Sequence, residues 1–470
     1  MRGRVVVAAA LAGVLGFAAA PTASATAGRA EAPTARAGTQ AVVDWNRTAL
    51  ATAAVSNGIH EGHNLALVQA AVFEAANSIT RRYRPYRVRI GAAGHESVVA
   101  AVASAAHAVL AARYPEQRDA LDEALASSLV QVPDGPSETG GVAVGRAAAA
   151  ALLALRTGEH AGNVPYPAPG SGPGVWVPTP PSFSPPLEPG WGRVTPYLLG
   201  SGSQFRPPPP PALTSGRYAR DFLEVKAVGE AASTTRTPHQ TETARFWNAT
   251  GAKLWNQPAQ RLVLAHAHEP TRAARAFALL NLAGADAVIA TWDTKFTYHQ
   301  WRPVTAIRAA ADDGNPATDP DPDWTPLLAT PPYPDHVSAA STIAGAAETV
   351  LAATFGRRPG PFSLTSPGLP GVVRTYRSFS AAASEDVDAR VWSGIHWRTS
   401  DRAGRALGQA RRPVRAAPHP PTDRPLAPGG HDDDQHHRRP AAARKGDPRT
   451  AGPAPAGVEP RPAARPAGHL

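Results

Sequence analysis

The chain has no cysteine among its 470 residues. That absence excludes disulfides, a thiolate nucleophile, cysteine-ligated zinc and thiolate-held iron–sulfur clusters. Strand-like alternation is scarce, and no fixed-period repeat is evident. Beyond the N-terminal stretch no apolar run reaches the roughly eighteen residues of a membrane span, so no membrane association is expected of the mature chain. A basic nucleic-acid-binding face is lacking too. The net charge is +10, but residues 411–470 alone hold 11 Lys+Arg against 6 Asp+Glu. Charge gathered in one terminal stretch does not make a basic domain surface, and no nucleic-acid partner is expected. What is present excludes global disorder: 43% hydrophobic residues, with 10 Trp, 9 Tyr and 11 Phe. The length suffices to bury a sizeable core.

Residues 1–25 read as a secretory signal. Arg2 and Arg4 form a charged start, Val5 to Ala20 an apolar run, and Ala23-Ser24-Ala25 an A-x-A-like cleavage site. The alternative is an uncleaved anchor. Residues 26–410 read as one large all-α domain, or as two helical halves joined by Pro-rich crossings. Apolar residues recur at three- and four-residue intervals over 63–79, 97–112 and 140–155. Further helical text runs over 214–295, 337–355 and 380–411. Between these blocks, 163–190 and Pro207–Pro211 are too rich in proline for helix interior and predict extended surface segments, a crossing of about 163–211. Residues 411–470 contain 13 Pro and almost no large apolar side chains, which predicts a disordered basic tail. The abrupt change after RAGRALGQA also fits an aberrant terminus. Within it, HDDDQHH (431–437) could grip a metal weakly, but in this composition it reads as a solvated polar tract.

Three stretches could carry chemistry. In KFTYHQWRP, Lys295 and Arg302 are seven residues apart, about two helical turns, and could converge on one anion from one helix face. Pro303 disfavours helix at Arg302 and would expose its guanidinium at an element end. A solvated cationic surface has the same pattern. In TPPYPDHVSAASTIAGA (330–346), the prolines hold the approach extended, and Asp335 or Ser338 begins a helix that Gly356 closes. The free N–H groups after Ser338 form an anion cradle, with a plain N-cap role for Ser338 as the alternative. In RVWSGIHW, Gly394 breaks the helix between Arg390 and His396, and Thr399, Ser400 or Asp401 could cap the next one. His396 would then stand at a helix–loop–helix corner, aimed into a pocket or packed in the core.

In order, these stretches resemble the signature of the vanadium-dependent haloperoxidases and type 2 phosphatidic acid phosphatases: K-x6-R-P, a central helix start, and R-x5-H. VVDWNR (42–47), QFRPPPPPALTS (204–215) and GIHWRTSD (394–401) look like bacterial secreted members, and the resemblance covers about residues 40–410. It implies an all-α bundle around one oxyanion pocket that takes vanadate, with phosphate as a competing oxyanion. By resemblance, Lys295, Arg302 and Arg390 would bind equatorial oxygens, helped by Ser338 and the Ala339 amide. His396 would be the vanadium ligand in a peroxidase, or the phosphorylated nucleophile in a phosphatase. Trp292 and Tyr333 would fall near the rim. The partners implied are hydrogen peroxide, a halide and a small organic substrate, or else a phosphomonoester. One departure stands against these agreements. The family's central P-S-G-H reads Val337-Ser338-Ala339-Ala340 here, so the second, acid–base histidine is Ala340. His336, four residues earlier, could substitute if residues 336–340 are already helical. Otherwise the chain is an oxyanion-binding relic with poor turnover.

Overall fold

Alanine-rich text spaced at the helical period folds as helix throughout. The structure is a computed structural model and describes residues 33–159, 170–267 and 269–410. The chain divides into Met1–Pro420 and Pro421–Leu470, and every described residue falls in the first unit. The signal-like residues 1–25, part of the crossing and the tail 411–470 lie outside the described residues.

The N-terminal helices are α1 (Pro33–Ala53), α2 (Gly58–Thr80), α3 (Val98–Arg113), α4 (Arg118–Leu129) and α5 (Pro136–Ala154). After the Pro-rich crossing come α6 (Gly216–Val228), α7 (Pro238–Phe246), α8 (Gly251–His266) and α9 (Pro270–Tyr298). The C-terminal set is α10 (Pro303–Arg308), α11 (Ala339–Phe355), α12 (Phe379–Trp392) and α13 (Arg398–Gln409). The fold is all-α, as expected. One feature had no counterpart in the expectation, the antiparallel hairpin β1 (Phe362–Thr365) and β2 (Val373–Tyr376), with Phe362 opposite Tyr376. Four-residue strands are too short to impose a visible alternation.

By length and composition α9 is apolar enough to cross a membrane. Most of that window is instead buried inside the protein, against α1, α2, α8 and α11. This buried helix carries Lys295 one turn from its end. Small residues bring other helices together almost backbone to backbone. A Cβ on Gly404 of α13 would lie 2.6 Å from the Ser338 carbonyl, and Gly408 and Gly345 meet the opposite backbone just as closely. That contact fixes the middle of α13 against the start of α11. A second apolar cluster, including Tyr218, Phe222, Trp301 and Trp397, underlies the segments that bear Arg302 and His396.

The proline-rich crossing covers the same end of the bundle. Trp176 N–H donates to His299 O (2.7 Å), and Leu187 N–H to Pro332 O (2.9 Å). The Trp292 indole donates to Leu187 O (3.1 Å), and the Tyr298 hydroxyl to Pro207 O (2.8 Å). The crossing thus both donates and accepts, and Pro207, which has no N–H, takes part through its carbonyl alone.

Candidate oxyanion site

Lys295 and Arg302 meet, but not by helical periodicity. α9 ends at Tyr298, His299 takes a left-handed conformation (φ 50°, ψ 32°), and Arg302 is extended (φ −83°, ψ 157°) ahead of Pro303. The proline excludes helix at Arg302, as expected, and the turn at His299 rather than two helical turns brings the cations together. Both side chains are fully buried. Lys295 Nζ donates to Pro334 O (2.6 Å) and Asp335 O (2.7 Å). Arg302 Nε donates to Tyr333 O (2.8 Å) and Nη1 to Ile395 O (2.7 Å). The Tyr333 ring lies 4.9 Å from both cationic groups and 4.9 Å from the Trp292 ring, so the two aromatics border the cations.

His396 joins them from the corner after Gly394, whose φ of +79° breaks the chain between α12 and α13. Its Nδ1 lies 3.0 Å from Asp335 Oδ2, and Arg302 Nη1 is 3.3 Å from both ring nitrogens. An ionised carboxylate only accepts, so Nδ1 carries the ring proton and Nε2 the lone pair. Burial, together with Arg302 and Lys295, keeps the imidazole neutral down to about pH 3 despite Asp335. Burial also works against ionisation of Asp335, but His396, Arg302 and Lys295 outweigh it and hold the carboxyl below its ordinary range. Burial and the neighbouring Arg302 lower the Lys295 ammonium well below its usual value.

Ser338 stands at the N-cap position of α11 but does not cap it. Its hydroxyl lies beside the Asp401 carboxyl, which burial pushes well above its ordinary value. Ser341 Oγ donates to the same group (3.0 Å). The Ala339, Ala340 and Ser341 amides therefore open the helix without a side-chain acceptor from Ser338. Thr399, Ser400 and Asp401 do not cap α13 either. They lie inside its first turn, after Trp397, and act across the interface instead. Ser400 O accepts from Ser338 N–H (3.3 Å), while Ser400 Oγ donates to Asp335 O (3.1 Å).

Two expected participants face elsewhere. The helix expected to carry His336 beneath position 340 starts only at Ala339, so the two share no helical face. His336 is buried, with Nε2 3.1 Å from Pro208 O, and burial lowers its imidazole to about 4. Arg390 donates to Trp247 O and pairs with Asp386 at 3.3 Å. Its charge reaches the Tyr333 phenol, but none of its hydrogen bonds joins the Lys295–Arg302–His396 group. Asp335 and Asp401, central to the geometry, had no functional signal in the sequence. Each was only a candidate cap, because a carboxylate paired across 61 residues leaves no spacing to read.

An oxyanion needs convergent donors, and the leftover valences match that need. Arg302 Nη2 is buried and has no hydrogen-bond partner, next to a second buried cation and an imidazole with an available nitrogen. Residues 275–411, which span every one of these groups from α9 to α13, match the family model described as the VCPO second helical-bundle domain. Over those residues the chain is similar to that helical-bundle domain. It is 26% identical over 288 residues to the vanadium chloroperoxidase of Curvularia inaequalis, covering 47% of each chain. It thus spans about half the length of that curated relative. In fold it is similar to a bacterial vanadium-dependent iodoperoxidase, with TM-score 0.67 and 24% identity over 79% of this chain and 93% of that one. A holo-type bacterial vanadium-dependent chloroperoxidase follows, with TM-score 0.59 and 16% identity over 75% and 90%.

Proposed function

We propose that the protein is a secreted, haloperoxidase-like enzyme that binds vanadate in the Lys295–Arg302–His396 pocket and turns over poorly. The observation that carries this reading is the burial of two cations and a neutral imidazole around an unpaired guanidinium N–H. Buried charge without an exchangeable partner is costly, and an oxyanion would supply that partner. Arg302 Nη2, the Lys295 ammonium and the Ala339 amide would hold the oxyanion's oxygens, with the Ser338 hydroxyl beside them. His396 Nε2 would supply a nitrogen ligand, with Nδ1–H fixed by Asp335. Arg390 would join after leaving Asp386 and Trp247 O. Bound vanadate would supply the Lewis acidity that activates hydrogen peroxide to oxidise a halide, and the oxidised halogen would attack a small organic substrate.

The chain's own part in the reaction is charge stabilisation and proton handling. The cations and the helix-start amides are preorganised for negative charge. Proton delivery is the weak point. Ala340 offers no titratable group, His336 is turned to Pro208 O, and loss of a positioned acid–base group costs roughly 10²–10⁴-fold. One observation favours a second reading, a phosphatase acting on phosphomonoesters. The Asp335–His396 contact leaves Nε2 as a nucleophile that could take a phosphoryl group. Export rests on Arg2, Arg4, the run Val5–Ala20 and Ala23-Ser24-Ala25. Sequencing the N-terminus of the mature protein tests it.

Vanadate calorimetry on the purified protein, run beside a peroxide-dependent bromination assay, tests the main reading. Binding with slow bromination is expected. Absence of vanadate binding would defeat the reading, and phosphomonoester hydrolysis without bromination would favour the phosphatase.

A further inference from the structure

Several buried polar atoms around the site have no hydrogen-bond partner, Ser338 Oγ and Asp401 Oδ2 among them, and two of them differ in sign. Arg302 Nη2 is an unused donor, and Asp335 Oδ1 is an unused acceptor. The two groups are already paired through their other ends, with Asp335 Oδ2 3.7 Å from Arg302 Nη1, and both side chains are fully buried. The carboxylate is thus a fixed member of the buried cluster, anchored through its backbone carbonyl by Lys295 and Ser400 and through Oδ2 by His396. A ligand that satisfies both leftover atoms must accept from the guanidinium and donate to the carboxylate.

We infer that Asp335 is a specificity-determining residue, which restricts the pocket to tetrahedral oxyanions that carry a proton. The inference rests on the oxyanion-site reading above and deepens it. Hydrogen phosphate, hydrogen vanadate and hydrogen arsenate each keep at least one O–H near neutral pH. Sulfate and selenate carry none. An O–H donated to Asp335 Oδ1 turns a repulsive contact between two anions into a charge-assisted hydrogen bond. A bare oxyanion would face a buried carboxylate with no proton between them, and in a dry pocket that repulsion is poorly screened. Sites built to hydrogen-bond a ligand O–H reject analogues lacking it by large factors, because the buried partner is left unpaired.

The test is calorimetric titration of the full chain at pH 7 with inorganic phosphate, orthovanadate and sulfate, then of Asp335→Asn with the same three salts. In the native protein sulfate should bind at least roughly tenfold more weakly than phosphate or vanadate. In Asp335→Asn the ratio should fall at least roughly tenfold, chiefly by a gain for sulfate, since the amide can donate where the carboxylate repelled. Equal affinity for sulfate and phosphate in the native protein would overturn the role of Asp335 and leave the oxyanion site standing. A preference unchanged in Asp335→Asn would do the same. Failure of all three anions to bind either protein would remove the site itself. Should the variant not fold, arsenate and selenate on the native protein decide: arsenate must follow phosphate and selenate must follow sulfate, and any other pairing refutes the inference.

Discussion

Gly404 lies directly against the Ser338 carbonyl, where a Cβ would sit 2.6 Å from that oxygen and 3.0 Å from Thr342 Oγ1. The relationship ties the helix that follows His396 to the helix start that would cradle an anion. Gly404→Ala should therefore push α13 from α11. The gain in helix propensity, up to about 1 kcal/mol, would be outweighed by overpacking of about 1–3 kcal/mol. Thermal unfolding should show a lower Tm, and phosphate binding should weaken. A variant as stable as the native chain would show that the helices can separate without cost.

By the resemblance, Ala340 would stand in the place of an acid–base group, at a helix start that Ser338 does not cap. If proton delivery is what the pocket lacks, Ala340→His should raise peroxide-dependent bromination at least roughly tenfold. His396→Ala should abolish both turnover and vanadate binding. Steady-state rates and calorimetry on the two variants separate a missing proton carrier from a missing ligand. An unchanged rate in Ala340→His would locate the defect elsewhere.

Arg390 is held by Asp386, whose carboxyl is raised by burial, against the pull of Arg390, to about 6. Asp386→Asn removes the countercharge and should free the guanidinium to turn toward the pocket. Phosphate affinity should then rise about tenfold, a small share of the Coulomb energy available to a partly buried pair. Unaltered affinity in calorimetry would mean that Trp247 O alone holds Arg390.

His63 supplies a pH dependence away from the site. Burial, reinforced by Arg156, Arg113 and His60, lowers its imidazole to about 3. The unfolded chain takes up that proton below about pH 6.5, whereas the folded chain does not. The stability tied to neutral His63 is therefore complete above pH 6.5 and is lost as pH falls toward 3. At pH 4.5 the loss is about 3 kcal/mol. His336 and His396 act in the same direction, so only a difference measurement isolates His63. Urea unfolding at pH 7 and pH 4.5 should show a smaller drop for His63→Gln than for the native chain.

The sequence by itself determined the helical class. Alanine-rich periodicity and the Gly356 stop place the ends of α2, α3, α5 and α11 within about five residues, because these signals act over one or two turns, whereas 214–295 reads as one block and folds as four helices. It also marked Lys295, Arg302 and His396, since their types and order follow a known signature. Only the tertiary structure decided who meets whom. Asp335 reaches His396 across 61 residues, Arg390 turns to Asp386, and His336 turns to a proline carbonyl. Local propensity fixes a backbone, whereas a buried charge takes whichever partner the packed helices bring within reach, and that choice is made by close contacts such as Gly404 on Ser338.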